Sequence, residues 1–308
     1  MWLWVVTPAA ATPAPHVWQV PGSTEQIVLG PIEVRYEPGM EAQARALASS
    51  IPGWWSSLES ALGEDVDDRL TLHLTSHAGE LARASGTAGW ANGVARPAAG
   101  EMIVTMFGPD GRPVAIEGVV RHELAHVALH RAVGGARVPA WFHEGVADNL
   151  GDEISPGRRE ALARGYAGGV PSLEALSVPF QGDATDIATA YAVSRDFVAY
   201  LWALDQGGDK FPALIDAIRR GRGFERAVVD TYGATVATLG AQWREGLWSR
   251  FSWAPLATSP DAFLVLLSPL GVVAWWRRRR RNARAYDRLD DDLFPFGERP
   301  WSGAAAAL

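Results

Sequence analysis

The sequence predicts an α+β fold, with an N-terminal mixed sheet and a C-terminal helical part. Apolar and polar residues alternate in the first third of the chain, as in RLTLHLT at 69–75. Alternation with period two is typical of strands, because successive side chains point to opposite faces of a sheet. After Val114 the pattern becomes largely helical. Strands that come first and helices that follow favour α+β over an alternating α/β architecture.

The predicted elements follow one another along residues 23–250, which we expect to form one globular domain. The segment QIVLGPIEVRY at 26–36 predicts a strand or hairpin edge, and residues 89–106 predict a hairpin or a pair of short strands. A helical pattern at 41–62 should break or kink at Pro52 and Gly53. Further helices are predicted at 116–133, 140–150, 156–166, 186–204, 211–220 and 235–248.

The composition excludes several classes of site. The chain has no cysteine, so thiolate zinc sites, disulfides and thiol catalysis are excluded. Its 28 basic and 35 acidic residues give a net charge of −7, and no basic face stands out before the C-terminal end. A nucleic acid is therefore not an expected partner.

The two ends of the chain predict export and membrane attachment. Residues 1–22 open with a short apolar run, then small residues and prolines, which indicates a signal-like or flexible segment. Residues 251–276 should contain a transmembrane helix, because AFLVLLSPLGVVAWW at 262–276 is uncharged and five arginines follow it. The alternative is a buried core helix followed by a solvated basic tail. Residues 277–308, first basic and then acidic, would form a cytoplasmic tail.

The positive-inside rule then decides the expected location of the domain. The arginine block favours the cytoplasmic side, so everything before the span would lie outside the cytoplasm. This agrees with the signal-like start of the chain. We therefore expect a single-pass protein of the cell membrane with an extracytoplasmic domain.

The segment EGVVRHELAHVALHR at 117–131 contains the pattern H-E-x-x-H at His122, Glu123 and His126. Residues four apart lie one above the other on a helix, so both imidazoles can reach one metal ion. Imidazole nitrogen suits Zn²⁺ at a distance of about 2.1 Å. The carboxylate of Glu123 lies beside them and can act as general base toward a water activated by the metal.

A third metal ligand must come from another part of the chain. His130 continues the spacing, but eight residues of helix rise about 12 Å, so it cannot share an ion with His122. A metzincin arrangement would need Gly at 129 and His at 132, where the chain has Leu129 and Ala132. The remaining candidates are His143 and Glu144, in a helix predicted to start after Pro139.

H-E-x-x-H followed about twenty residues later by W-F-x-E-G-x-A resembles the gluzincin zinc metallopeptidases. The resemblance is closest to the bacterial peptidase MA-like group and more distant to thermolysin and aminopeptidase N, and it covers residues 23–250. It implies a zincin-like peptidase domain in which Glu144 is the third zinc ligand. His143 would then point away, since consecutive helix residues do not share a face.

The resemblance also implies supporting roles. In thermolysin-like enzymes an acid at the offset of Asp148 orients a zinc histidine, so Asp148 would accept the free ring N–H of His122. Tyr191 lies in the predicted helix at 186–204, after the ligand helix, and is the candidate oxyanion stabiliser, with Ser194 matching an aromatic–Ser pair of the family. The alternative for Tyr191 is packing in the core. Residues 101–105 could line the cleft as an edge strand that pairs with an extended peptide.

The predicted function is that of a membrane-anchored zinc peptidase that hydrolyses a peptide or protein substrate with a metal-activated water. One alternative is a catalytically silent binding or scaffold domain of the same fold, although the intact Glu123 argues against it. The other alternative is a zinc hydrolase of a non-peptide amide, which would use the same water-activating chemistry.

Overall fold

A computed structural model of the protein describes residues 18, 20, 22, 24–63, 69–86, 91–151, 161, 162, 165, 169–205 and 207–251. The chain divides into two units, Met1–Ser249 and Arg250–Leu308, and everything below concerns the first. The predicted anchor at 262–276, the tail at 277–308, and most of segments 1–22 and 156–166 lie outside the described residues. Within the described ranges, no helix is both long and apolar enough to cross a bilayer.

The described strands form one five-stranded mixed sheet in the order β1-β2-β3-β5-β4. Strands β1 (Glu25–Leu29) and β2 (Ile32–Tyr36) are antiparallel. Strand β3 (Leu70–His77) runs parallel to both β2 and β5 (Glu101–Phe107), and β4 (Gly93–Arg96) is antiparallel to β5. The predicted α+β class, the N-terminal hairpin and the strand at 69–75 are confirmed.

The edge of the sheet differs from the prediction. We expected residues 101–105 to form an edge, but β5 lies between β3 and β4 and is hydrogen-bonded on both sides. The reason is the tight connection at 97–100, which folds β4 back onto β5. Strand β4 is therefore the edge next to the long helices, where it contacts the helix that carries His122 and His126.

The helices agree with the predicted periodicity and add two short ones. Pro52 lies inside a single helix that continues from Glu41 to Leu62, so the break that the sequence predicted at this position does not occur. Its buried residues, such as Ile51 and Trp55, lie on both sides of Pro52 and hold the helix on the core. The described helices of five residues or more are α1 (Glu41–Leu62), α2 (Ala78–Ser85), α3 (Ile116–Ala132), α4 (Ala140–Leu150), α5 (Ala184–Ala203), α6 (Lys210–Arg219), α7 (Phe224–Tyr232) and α8 (Val236–Phe251).

Helix α4 is packed between α3 and α5, and this arrangement positions the candidate site. The turn at Gly134 and Gly135, both with positive φ of 62° and 72°, reverses the chain after α3. Trp141, at the start of α4, is 1% exposed and makes edge-to-face contacts with Phe142 and Phe197. Such aromatic packing anchors the start of α4, and with it the residues that follow.

Candidate metal centre

Helix α3 places His122 and His126 side by side in the interior. The two side chains are 0% and 2% exposed, and their Nε2 atoms lie 3.0 Å apart. Their rings meet edge to face with centroids 4.6 Å apart. The i, i+4 spacing thus brings two nitrogen atoms to one point, as the sequence predicted.

Glu144 of α4 completes a triangle with these two nitrogens. Its Oε2 atom lies 3.7 Å from Nε2 of His122 and 3.7 Å from Nε2 of His126. The ligand atoms of a tetrahedral zinc ion, at about 2.1 Å from the metal, lie about 3.4 Å from one another. The three side chains are all buried and could hold a metal ion.

The surroundings of the Glu144 carboxylate also favour a cation next to it. Glu144 is 3% exposed, and its Oε2 atom accepts no hydrogen bond within the described part of the chain. A buried carboxylate oxygen of this kind is costly unless a positive charge lies next to it. An ion at the centre of the triangle would supply that charge.

Asp148 lies behind His122, one helical turn after Glu144. Its Oδ1 atom is 3.1 Å from Nδ1 of His122, and its side chain is fully buried. A histidine that binds a metal through Nε2 carries its proton on Nδ1 and needs an acceptor there. Asp148 thus contacts the ring nitrogen that the resemblance to thermolysin-like enzymes implied, and its role toward a metal stays a prediction.

His143 does not point away from the site, contrary to the expectation from the sequence. Its Nδ1 atom lies 2.6 Å from Nδ1 of His126, and the two rings stack with centroids 4.7 Å apart at 26°. Consecutive residues on α4 do diverge, but α3 is close enough for Glu144 and His143 to contact two sides of the same His126 ring. His143 thus lies behind a member of the triangle and outside the triangle itself.

Burial keeps the paired histidines in the form that binds a metal. Removal from water lowers the pKa of His143 to about 3, and positive charge on His130 and His122 acts in the same direction. Burial, with the charges of His122 and His143, holds the pKa of His126 well below its usual value. Neutral imidazole is the ligand form, so neither ring must lose a proton for a metal to bind near neutral pH.

Glu123 and His130 occupy different surroundings on α3. Glu123 is 2% exposed and lies between the two histidines in sequence, buried with them in the interior. His130 is half-buried, next to Gly135, and lines a separate pocket of about 540 Å³ with Arg69 and Arg131. Burial and the charge of Arg131 lower the pKa of His130. His130 is not part of the triangle, as its rise along the helix predicted.

Two glycines let the helices approach one another at the site. A Cβ atom on Gly145 would lie 2.4 Å from the carbonyl oxygen of Ser194 on α5. A Cβ on Gly151, just after α4, would lie 3.0 Å from Cα of His122. Gly145 is the glycine of the E-G-x-A pattern, which indicated no packing partner for it, and no role was predicted for Gly151. Its only sequence signal is a glycine at the end of a predicted helix.

Tyr191 and Ser194 lie on α5, which packs against α4. Tyr191 is 6% exposed and meets Phe180 edge to face with ring centroids 5.2 Å apart. The Ser194 hydroxyl donates to the carbonyl oxygen of Ala190 at 2.7 Å, within its own helix. Phe180 and Ala190 line an open pocket of about 600 Å³. These contacts place Tyr191 beside a pocket, and its role toward a substrate stays a prediction.

Comparison with known proteins agrees with this geometry. A family model described as the Peptidase MA superfamily matches residues 60–249, which include all members of the triangle. The chain belongs to the Peptidase MA superfamily. Membership of this superfamily implies a metal cofactor, typically zinc, and the buried His122, His126 and Glu144 provide a place for it.

Other comparisons are more distant. The native structure of yeast LTA4 hydrolase is similar with a TM-score of 0.44 and 12% sequence identity. The similarity covers 71% of this chain and 38% of the hydrolase chain, so the protein spans well under half the length of that relative. Among curated protein sequences, none matches the chain.

Proposed function

We propose that this member of the Peptidase MA superfamily is a zinc-dependent peptidase of the gluzincin type. The observation that supports it best is the buried triangle of His122 Nε2, His126 Nε2 and Glu144 Oε2, with sides of 3.0, 3.7 and 3.7 Å. Two histidines and one carboxylate are a ligand set of catalytic zinc sites, which keep one position open for water or substrate.

The proposed chemistry assigns one task to each residue. A bound zinc ion supplies Lewis-acid chemistry, which makes a water acidic and polarises a peptide carbonyl. His122, His126 and Glu144 bind the ion, and Asp148 orients the ring of His122. Glu123 accepts the proton of the attacking water at its carboxylate and then donates it to the nitrogen of the leaving amine.

The substrate would bind along the edge of the sheet. Strand β4 has one side paired with β5 and contacts α3. An extended peptide could add to such an edge through main-chain hydrogen bonds. Tyr191 is the proposed donor to the oxyanion that forms during attack. Both assignments go beyond the geometry of the triangle and rest on the peptidase proposal.

The deciding experiment compares zinc content and casein turnover in wild type and Glu123→Gln. We expect about one zinc per chain in both proteins, because Glu123 is not part of the triangle. Turnover should fall by about 10²–10⁴-fold in the variant, since it loses the general base. A wild type that binds zinc but is no more active than E123Q would favour a silent binding domain. Turnover of non-peptide amides but not of casein would favour the amide hydrolase.

We further propose that residues 262–276 anchor the protein in the cell membrane, with residues 23–250 on the extracytoplasmic side. The support is the uncharged apolar run followed by five arginines. A peptidase held in this way would act on substrates close to the extracytoplasmic face of the cell membrane.

A further inference from the structure

The two nitrogens of His126 have different neighbours. Nε2 faces the triangle, 3.0 Å from Nε2 of His122 and 3.7 Å from Oε2 of Glu144. Nδ1 lies 2.6 Å from Nδ1 of His143, on the other side of the ring. Both rings are buried, at 2% and 5% exposure, so bulk water does not compete for this contact.

A distance of 2.6 Å between two imidazole nitrogens requires one proton between them. Two bare lone pairs would repel at this distance, and two N–H groups would clash. A shared metal ion is also excluded, because ligand atoms on one tetrahedral ion lie about 3.4 Å apart. The contact is therefore an N–H···N hydrogen bond, and the remaining question is which ring donates.

The metal side of His126 decides the direction of the bond, and this step rests on the proposed function. A neutral imidazole has a single N–H, and Nε2 must be bare to bind a metal. The proton of His126 is then on Nδ1 and is donated to Nδ1 of His143. His143 must in turn carry its own proton on Nε2.

We propose that His143 is a positioning residue that holds His126 in the Nδ1–H tautomer with its Nε2 lone pair directed at the metal. The two metal histidines would then be oriented by different chemistry. His122 donates to the carboxylate of Asp148, whereas His126 donates to a neutral imidazole. Helix α4 thereby supplies the third ligand from Glu144 and orients the second ligand from the adjacent residue, His143.

Two substitutions of His143 separate a hydrogen-bond role from a packing role. In asparagine, Oδ1 takes the position of the imidazole Nδ1, because both atoms are bonded to Cγ, so His143→Asn keeps an acceptor for His126. In glutamine the amide oxygen is one bond farther out, so His143→Gln removes this acceptor while keeping a polar side chain of similar size. His130→Asn is the matched control, a histidine on α3 that lies outside the triangle.

Zinc affinity of the 308-residue chain is measured by competition with a chromophoric chelator. We expect H143Q to lose about 10–100-fold in zinc affinity, the usual effect of removing the partner of a ligand histidine. H143N and H130N should stay close to wild type. Equal losses in H143N and H143Q, or none in H143Q, would overturn the proposal. Thermal unfolding of each metal-free variant shows whether a loss reflects misfolding.

A second measurement does not depend on zinc. In protein with ¹⁵N-labelled histidine, the hydrogen bond should give a scalar coupling between Nδ1 of His126 and Nδ1 of His143. It should be present in the metal-free and in the zinc-loaded wild type, and in the zinc-loaded protein the proton should be on Nδ1 of His126. Its absence from both metal-free and zinc-loaded wild type would overturn the proposal even if H143Q failed to fold. A wild type that shows the coupling but binds no zinc would instead contradict the proposed function.

Discussion

Asp148 Oδ1 lies 3.1 Å from His122 Nδ1, and both side chains are fully buried. The contact joins α4 to α3 behind the triangle, on the side of the His122 ring opposite to Glu144. Because Nδ1 faces a carboxylate, the proton of His122 is drawn to that nitrogen and Nε2 is left with its lone pair. In the proposed zinc site, the aspartate would therefore orient His122 without touching the ion.

Substitution of Asp148 by asparagine should weaken zinc binding without preventing folding. Asparagine keeps the shape but removes the negative charge, so we expect a loss of about 10-fold or more in zinc affinity. Chelator competition measures it. Asp216→Asn, which removes a surface carboxylate paired with Arg219, is the control and should leave zinc affinity unchanged. Equal affinities for D148N and D216N would show that the contact does not support the metal.

Substitution of Glu144 by alanine should remove zinc and peptidase activity together. The triangle loses its only carboxylate, and two histidines from one helix bind zinc weakly without a third ligand. Metal analysis after dialysis measures the effect, with Glu117→Ala, an exposed glutamate at the start of α3, as control. Stoichiometric zinc in E144A would show that the third ligand is another residue.

Substitution of Gly145 by alanine should destabilise the fold. The new Cβ would lie 2.4 Å from the Ser194 carbonyl oxygen, so α4 and α5 would have to separate. Overpacking of this kind costs about 1–3 kcal/mol in the free energy of unfolding.

Gly79 offers a matched control for this prediction. It also lies in a helix, but a Cβ there would have no neighbour within 4 Å. Gly79→Ala should therefore leave stability unchanged or raise it by up to about 1 kcal/mol. Urea unfolding compares the two, and equal stability of G145A and G79A would contradict the close approach of α4 and α5.

Substitution of His73 by leucine should protect the metal-free protein against acid. His73 on β3 is 1% exposed, and burial followed by the charge of Arg35 lowers its pKa from 6.5 to about 4. Because its pKa is depressed in the folded state, the unfolded chain binds this proton first as pH falls. The wild type should therefore lose stability between about pH 6.5 and pH 4, by roughly 1.4 kcal/mol per pH unit from this residue.

The H73L variant lacks that titration, so its stability should fall less over the same range. We expect its free energy of unfolding, relative to wild type, to rise by about 2–3 kcal/mol between pH 7 and pH 4.5. Urea unfolding at several pH values measures this difference. Parallel profiles for H73L and wild type would show that His73 titrates normally in the folded protein.

The proposed anchor predicts how the protein behaves in intact cells. External protease should digest residues 23–250 and spare an epitope placed within residues 277–308. A variant with two arginines in the run at 262–276 should lose membrane association, because each charge at the centre of a span costs about 2.5–3.5 kcal/mol. Full solubility of the wild-type chain without detergent would contradict the anchor.

Local sequence patterns predicted most of the strands and helices, because such patterns follow from the geometry of a single strand or helix. The spacing of His122 and His126 on one helix is enough to bring their Nε2 atoms together, whatever surrounds the helix. In the same way, the alternation of apolar and polar residues at 69–75 predicted a strand, and helical periodicity after Pro139 predicted the boundaries of α4 at 140–150. Helix α2, with eight residues, was too short for its periodicity to be recognised.

The third corner of the triangle and its surroundings depend on contacts between elements far apart in sequence. The E-G-x-A pattern indicated Glu144 as a candidate ligand, but only the packing of α4 on α3 sets the 3.7 Å distances from its Oε2 atom to both histidines. The same packing turns His143 onto His126, which the divergence of neighbouring helix residues had argued against. Sequence spacing determines which face of a helix a residue occupies, whereas the distance and rotation between two helices are set by side chains and glycines along their whole interface.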